Sequence, residues 1–208
     1  GAEIELVPAF SREQRLKRAI EAVRDDYDYV LIDCPPSLGL LTVNGLAAAS
    51  ALIVACAKAF ELRVNWTESM PRGLYQRVDP ALVRGESVAV CLEGEAARIA
   101  RERSYVIAGS CRSGLAEIVK RIVAIPGDRV ELGRNGVRVN GEPIAGSELL
   151  DRDSQGEPLA HAEEGEIVLA EGRYFVMGTN VRRSWDSRYF GTIAREQIVG
   201  GARPLWTF

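Results

Sequence analysis

The chain has 208 residues, 47% of them apolar, with 26 basic and 29 acidic side chains and a formal net charge of -3. That length holds one domain of generous size, or one domain plus a fragment. The charge balance excludes the electrostatic footprint of a nucleic-acid-binding protein, and the composition excludes a disordered tail or a low-complexity linker.

The first residues, from Gly1 on, already have the character of a domain interior, so a fragment or fusion product is expected. Residues 11–24, SREQRLKRAIEAVR, set Leu16, Ile20 and Val23 at helical spacing behind a Ser11 cap, which predicts an amphipathic helix. Asp28 to Pro36, DYVLIDCPP, then reads as a short buried strand of the parallel-sheet kind, closed by an acid and a diproline loop. Helix followed by buried strand is an α/β signature. Residues 1 to about 48, above all YDYVLIDCPPSLGLLTVNGLAAA, resemble the middle of a ParA/MinD-type partition ATPase. The resemblance implies that Asp33 ends a Walker B strand and helps to organise magnesium through water. That family's phosphate loop ends in Gly-Lys-Thr and cradles phosphate with backbone N–H groups, whereas no Gly-Lys pair occurs in this chain. Residues 1–37 are therefore expected to be an α/β remnant that binds no nucleotide.

The stretch from Leu38 to Phe60, LGLLTVNGLAAASALIVACAKAF, is long enough as a helix, at about 1.5 Å per residue, to cross a hydrocarbon core of roughly 30 Å. Asn44 and Lys58 interrupt it, although Lys58 lies near one end and can snorkel to the interface. A membrane anchor is the leading expectation for residues 38–60, with a buried helix and a cleaved signal-like segment as alternatives. A conventional signal peptide would need a basic region at the start of the chain, which is absent.

After Phe60 the sequence changes to short β-prone runs separated by turns: Glu86 to Val90, Lys120 to Ile125, Arg129 to Leu132, Val137 to Val139, Glu166 to Leu169 and Tyr174 to Met177. Asn135-Gly136 and Asn140-Gly141 flank Val137 to Val139 and supply the residues that turns with positive φ demand. Residues 61–208 are thus expected to form a mainly β, antiparallel domain. Of four cysteines, Cys34 and Cys56 are isolated in apolar runs, and no metal-ligand spacing occurs. Cys91 and Cys111 either stay as two buried thiols or close a loop of about 20 residues, a bond worth roughly 3 kcal/mol in the chain-entropy model.

Glu68-Ser69-Met70-Pro71-Arg72-Gly73 and the later Val119-Lys120-Arg121-Ile122-Val123-Ala124-Ile125-Pro126-Gly127-Asp128 suggest a serine nucleophile with a lysine base. The one histidine, His161, lies in an acidic, Gly-rich stretch and is a poor candidate for a Ser-His-Asp triad. A lysine can take a proton only if it is neutral at working pH, and burial achieves this by disfavouring the ammonium. Strand alternation places Lys120, Ile122 and Ala124 on one face, so the amine emerges among aliphatic side chains, with Arg121 on the opposite face.

SMPRG, VKRIVAIPGD and SWDSRYFG, in that order, are similar to the signature boxes of bacterial type I signal peptidases. RVNWTESMPRGLY, the Cys91 and Cys111 pair and the terminal PLW resemble more closely the TraF-type maturation peptidases of conjugative transfer systems, a branch of the same serine/lysine superfamily. The resemblance implies that Ser69 is the nucleophile and Lys120 the general base. It places Thr67 in the oxyanion hole beside the Ser69 backbone N–H, and makes Ser184 the hydroxyl that orients the lysine. Asp186 and Arg188 match a structural ion pair near the site, with the aspartate a candidate for a direct part in catalysis. Gly178 and Gly191 are expected to allow close backbone approach, and Met70 and Pro71 to shape the substrate groove. Arg72 and Thr179 depart from the general processing enzymes, which have a threonine and an acid at those positions, and favour the TraF branch. The implied activity is that of a membrane-associated serine endopeptidase maturing a pilin or signal-peptide-bearing precursor, without metal, cofactor, nucleotide or nucleic acid. The implied location is the inner membrane, with the catalytic domain on the periplasmic side and an apolar rim near Ser69.

Overall fold

The structure is a computed structural model that describes residues 19–20, 49–50 and 55–208. The strand expected at 28–36 lies outside the described residues. Of the helix expected at 11–24 only Ala19 and Ile20 are described, both helical; of the apolar segment 38–60, only Ala49, Ser50 and residues 55–60 are. Among the described residues no helix is long and apolar enough to cross a membrane. The chain divides into two compact units, Gly1–Phe60 and Glu61–Phe208.

The second unit runs β1 (Leu62–Asn65), β2 (Gly73–Val78), β3 (Ser87–Val90), helix α1 (Gly94–Glu102), β4 (Ile118–Ala124), β5 (Arg129–Gly133), β6 (Gly136–Val139), β7 (Glu142–Pro143), β8 (Gly165–Val168), β9 (Arg173–Met177), helix α2 (Ser187–Phe190), β10 (Ile193–Ala194) and β11 (Ile198–Thr207). Seven strands form one sheet in the order β1-β2-β11-β3-β4-β9-β10, and four form another in the order β7-β6-β5-β8. Every pairing is antiparallel, so the expected mainly β, antiparallel architecture holds.

The small sheet follows directly from its turn residues. Val139 pairs with Glu142 across a two-residue loop in which Asn140 and Gly141 both have positive φ, 53° and 85°. That is the conformation whose twist matches the flanking strands, and asparagine and glycine reach it at least cost. Alternation along β5 and β6 then turns Val130, Leu132, Val137 and Val139 inward, where they pack with Leu169, Phe175 and Met177. A second cluster of Val88, Val90, Ile122, Val176 and Ile198 fills the large sheet around β3, β4 and β9.

Several elements were not anticipated, helix α1 and strands β2 and β11 the longest of them. Helix α1 buries only alanines, Ala97 and Ala100, so its apolar face carries little periodic signal. Strand β11 contains Gly200, Gly201 and Pro204, residues that ordinarily interrupt a strand, and it shifts register twice. The glycines are needed because a Cβ at Gly200 or Gly201 would press on Arg77 or Val78 of β2. Gly73, paired with both Asn65 and Thr207, has a φ of 150°, and a Cβ there would strike the Trp206 carbonyl and lie 2.8 Å from Thr207 Cα. Gly73→Ala is therefore expected to cost roughly 2–4 kcal/mol through backbone strain and overpacking. Gly133→Ala, with nothing near its Cβ, should stay close to wild type, and paired thermal melts check both.

Candidate active site

A seven-residue loop, Trp66 to Arg72, joins β1 to β2 and carries Ser69 at its crown. Contacts from three directions hold it. Inside, the Asn65 Nδ2 donates to the carbonyls of Met70 and Pro71 at 3.2 and 3.0 Å, and the Tyr75 hydroxyl donates to Pro71 O at 2.7 Å. From β11, the Phe208 N–H donates to Arg72 O at 3.0 Å. From the segment after β9, the Asn180 N–H donates to Ser69 O at 3.2 Å, and its Nδ2 donates to Glu68 O at 3.0 Å. Thr67 Oγ1 lies 3.3 Å from Ser69 Oγ.

Lys120 sits on β4 opposite Val88 of β3, with β9 on the other side. Strand alternation buries Lys120, Ile122 and Ala124 and leaves Arg121 exposed. The Lys120 amine donates to Ser184 Oγ at 2.9 Å. Burial drives its pKa down from 10.5 to about 8; the Asp186 charge opposes that shift and the Arg188 charge assists it.

Ser184 and the ion pair arrive together on the turn between β9 and α2. Asp186 caps α2, and its Oδ1 accepts from the Arg188 N–H and Nε at 3.3 and 2.8 Å. Its Oδ2 accepts from Arg188 Nη2 at 2.9 Å and from the Gly178 N–H at 3.0 Å. Arg188 also donates to the Ser184 and Glu148 carbonyls, at 2.9 and 3.2 Å. Burial pulls the guanidinium pKa down, but the hydrogen bonds and charge of Asp186 prevail and raise it. The pair is fully buried and saturated, so its evident work is to fix the backbone that presents Ser184. Gly178 lies where a Cβ would strike Ser184 Oγ and come within 2.8 Å of Ser69 O. Gly191 differs. A Cβ there would meet nothing within 4 Å, and its φ of 75° marks the end of α2, so a left-handed backbone rather than proximity calls for glycine.

Ser69, Thr67, Lys120 and Ser184 line one cavity of about 530 Å³. No hydrogen bond links Lys120 Nζ to Ser69 Oγ among the described residues, and the amine's partner is Ser184. Met70 and Pro71 do not line the cavity. Met70 is 1% exposed and receives a Thr179 hydroxyl contact at its sulfur, so it anchors the loop rather than facing substrate. The walls come instead from Trp66, Tyr105, Val106, Ile118 and Trp185, none of which carries a role in the sequence reading. Trp66, Thr67, Tyr105, Val106 and Ile118 also line an adjoining, more apolar cavity of about 370 Å³. The Tyr105 wall is braced by Asp153, which accepts from the Tyr105 hydroxyl and from Arg103 Nη1 at 3.4 Å.

Cys91 and Cys111 form a disulfide with Cα atoms 5.6 Å apart, tying the end of β3 to the hairpin after Ile107. Cys56 is a free, exposed thiol, and Cys34 lies outside the described residues. His161 is far from a triad arrangement; its Nε2 lies 3.0 Å from the Leu150 carbonyl. No group of three potential metal ligands occurs among the described residues. Asn65, inside RVNWTESMPRGLY, was the residue of consequence that went unnoticed, and its only sequence signal was a polar side chain at the end of an alternating run.

Residues 40–206 match the family described as signal peptidase, peptidase S26, and residues 1–63 match an AAA domain. The chain is 36% identical over 177 residues to the probable conjugal transfer protein TraF of Sinorhizobium fredii, covering 84% of this chain and 90% of that protein. It is 35% identical over 169 residues to the plasmid transfer protein TraF of Escherichia coli, covering 81% and 94%. At the N-terminus it is 67% identical over 54 residues to the sporulation initiation inhibitor protein Soj of Bacillus subtilis, a match that spans 26% of this chain and 21% of Soj. A solved signal peptidase I from Enterococcus faecalis aligns with 59% of the chain at 22% identity and a TM-score of 0.34. The assignment rests on the sequence matches: the chain belongs to the signal peptidase, peptidase S26, family and is similar along most of its length to TraF proteins of conjugal transfer.

Proposed function

We propose that the protein is a serine endopeptidase that matures a protein precursor used in conjugation, with Ser69 as nucleophile and Lys120 as base. The observation that carries this reading is the buried Lys120 amine, its pKa brought down to about 8, held by Ser184 at the wall of the cavity that Ser69 also lines. In the reaction, the neutral amine takes the Ser69 Oγ proton as the oxygen attacks the scissile carbonyl. The tetrahedral oxyanion is held by the Ser69 N–H and the Thr67 hydroxyl, and the ammonium returns the proton to the leaving amine as the C–N bond breaks. Water, or a second amine, then releases the acyl group from Ser69. Lys120 and Ser69 have to close on one another when substrate binds, as catalytic contacts in free enzymes commonly do.

We place this domain on the outer face of the inner membrane. The Cys91–Cys111 disulfide suits an oxidising compartment. Val64, Leu74 and Trp206 occupy facing register positions on β1, β2 and β11, and the Trp206 ring lies tilted against Phe208 with centroids 5.0 Å apart, so an apolar row runs beside the Ser69 loop. Val64, Trp206 and Phe208 are exposed, as is Trp66 in the loop itself. Aromatic rings of this kind sit well at a lipid headgroup interface.

Co-expression with the precursor should show processing lost in Ser69→Ala and Lys120→Ala; full processing in either variant leaves a non-catalytic binding module as the better reading. For the wild type, kcat/KM should rise about tenfold per pH unit and level off above an apparent pKa near 8. The same shift governs stability. A lysine lowered from 10.5 to about 8 on folding leaves the unfolded chain holding more protons between those values, so its penalty is full below pH 8 and fades as pH rises to 10.5. Lys120→Met should remove a penalty on the order of 3 kcal/mol at pH 7, seen as a higher melting temperature whose margin shrinks in alkali. Replacing Trp206 and Phe208 by serine should weaken binding to phospholipid vesicles severalfold without altering cleavage of a soluble peptide, and undiminished vesicle binding would remove the membrane-facing role.

A further inference from the structure

We propose that Asn65 is a positioning residue that holds the Ser69 loop in its reactive shape and keeps the Thr67 hydroxyl in reserve for the oxyanion. The proposal rests on the serine/lysine reading above. Asn65 ends β1, pairs with Gly73 across the base of the loop and is 7% exposed. Its amide offers two donor hydrogens and an acceptor oxygen, and the loop uses all of them. Oδ1 accepts from the Thr67 N–H at 3.1 Å and from the Thr67 hydroxyl at 2.7 Å. Nδ2 faces the carbonyls of Thr67, Met70 and Pro71 at 3.2, 3.2 and 3.0 Å. The amide can point only one way, because the reverse orientation would set its oxygen against three carbonyl oxygens.

Counting protons around Thr67 gives the second half of the inference. A threonine hydroxyl has one hydrogen, and Asn65 Oδ1 can only accept, so that hydrogen lies on the Thr67–Asn65 bond. The 3.3 Å contact between Thr67 and Ser69 must then be donated by Ser69. In the free enzyme, accordingly, Thr67 presents lone pairs to Ser69 and has nothing to give a developing oxyanion. When negative charge forms on the substrate oxygen it becomes the stronger acceptor, and the Thr67 hydrogen swings to it about the C–O bond with the oxygen left in place. Asn65 Oδ1 keeps the Thr67 N–H as partner, so the swing leaves no buried acceptor unsatisfied. The asparagine thus does two things at once. It sets the loop through the carbonyls and parks a donor that is released only when charge appears, the condition for lowering the barrier rather than binding substrate.

The test compares kcat and KM for the full chain on a quenched peptide cut after a small residue, at a temperature where melting curves show every variant folded. Asn65→Ala and Asn65→Asp should each lower kcat by about 10²-fold, the usual weight of one oxyanion donor, with KM changed less than about threefold. The aspartate keeps an acceptor for Thr67 but cannot donate to the three carbonyls. The pH midpoint near 8 should stay put in Asn65→Ala, which leaves the lysine and the charges around it untouched. Thr67→Val should show a similar loss, Thr67→Ser should recover most of it, and Asn65→Ala combined with Thr67→Val should be no worse than about threefold below the weaker single variant. Wild-type kcat in Asn65→Ala or Asn65→Asp, or losses that multiply in the double variant, would overturn the proposal. Should the Asn65 variants fail to fold, Thr67→Val at wild-type kcat overturns it alone. Ser69→Ala is run alongside: if it still cleaves, the peptidase reading has failed, whereas an inactive Ser69→Ala beside unaffected Asn65 variants condemns only the role given to Asn65.

Discussion

The free-energy cost of holding one amine out of water organises the rest of this domain. Lys120 is central in a seven-stranded sheet, with β3 and β9 on its two sides and aliphatic neighbours along its own face. A charged ammonium there is expensive, and the structure lets the pKa fall rather than pairing the amine with a carboxylate. Asp186 is near enough to be felt but spends its oxygens on Arg188 and Gly178. The nearest partner of the amine is a neutral hydroxyl, Ser184. A direct Lys120–Asp186 salt bridge would have held the ammonium charged and unable to take up a proton.

Seen this way, the buried Asp186–Arg188 pair is a framework element. Buried ion pairs contribute little net stability against apolar packing, but losing one partner strands the other, so they enforce a single arrangement. Here the arrangement reaches across the chain: Arg188 binds the carbonyls of Glu148 and Ser184, and Asp186 binds the N–H of Gly178. The segment between β9 and α2 and the one that carries Glu148 are brought to a common point. The Ser69 loop joins them through Asn180, whose N–H and Nδ2 donate to the Ser69 and Glu68 carbonyls.

How much of this could be read beforehand depended on whether the physics was local. The hairpin of β6 and β7 was legible because Asn140-Gly141 answers to a two-residue turn and to little else. Lys120 was legible as a buried amine because period-two alternation assigns its face regardless of what packs there. Strand β11 was not, since its glycines and proline make sense only once Arg77 and Val78 of a neighbouring strand are in place. Met70 misled for a related reason. Proximity in sequence to Ser69 suggested a groove residue, but Met70 is buried and takes a hydroxyl contact from Thr179 at its sulfur. The cavity walls at Tyr105, Val106 and Trp185 come from segments remote in sequence, joined by a disulfide and a carboxylate whose partners no spacing rule identifies.

The bare α-carbon of Gly178 has an implication for how such a site can diversify. Its missing side chain is the space in which the Ser184 hydroxyl and the Ser69 carbonyl meet, so that single point acts as a fixed pivot between the two arms of the machinery. The residues just beyond it, Thr179 to Arg183, are mostly exposed and border the cavity at Val181 and Arg183. Side chains at Val181 and Arg183 can alter the lining of the cavity at little cost to the backbone, whereas any side chain at Gly178 would have to displace Ser184 or Ser69.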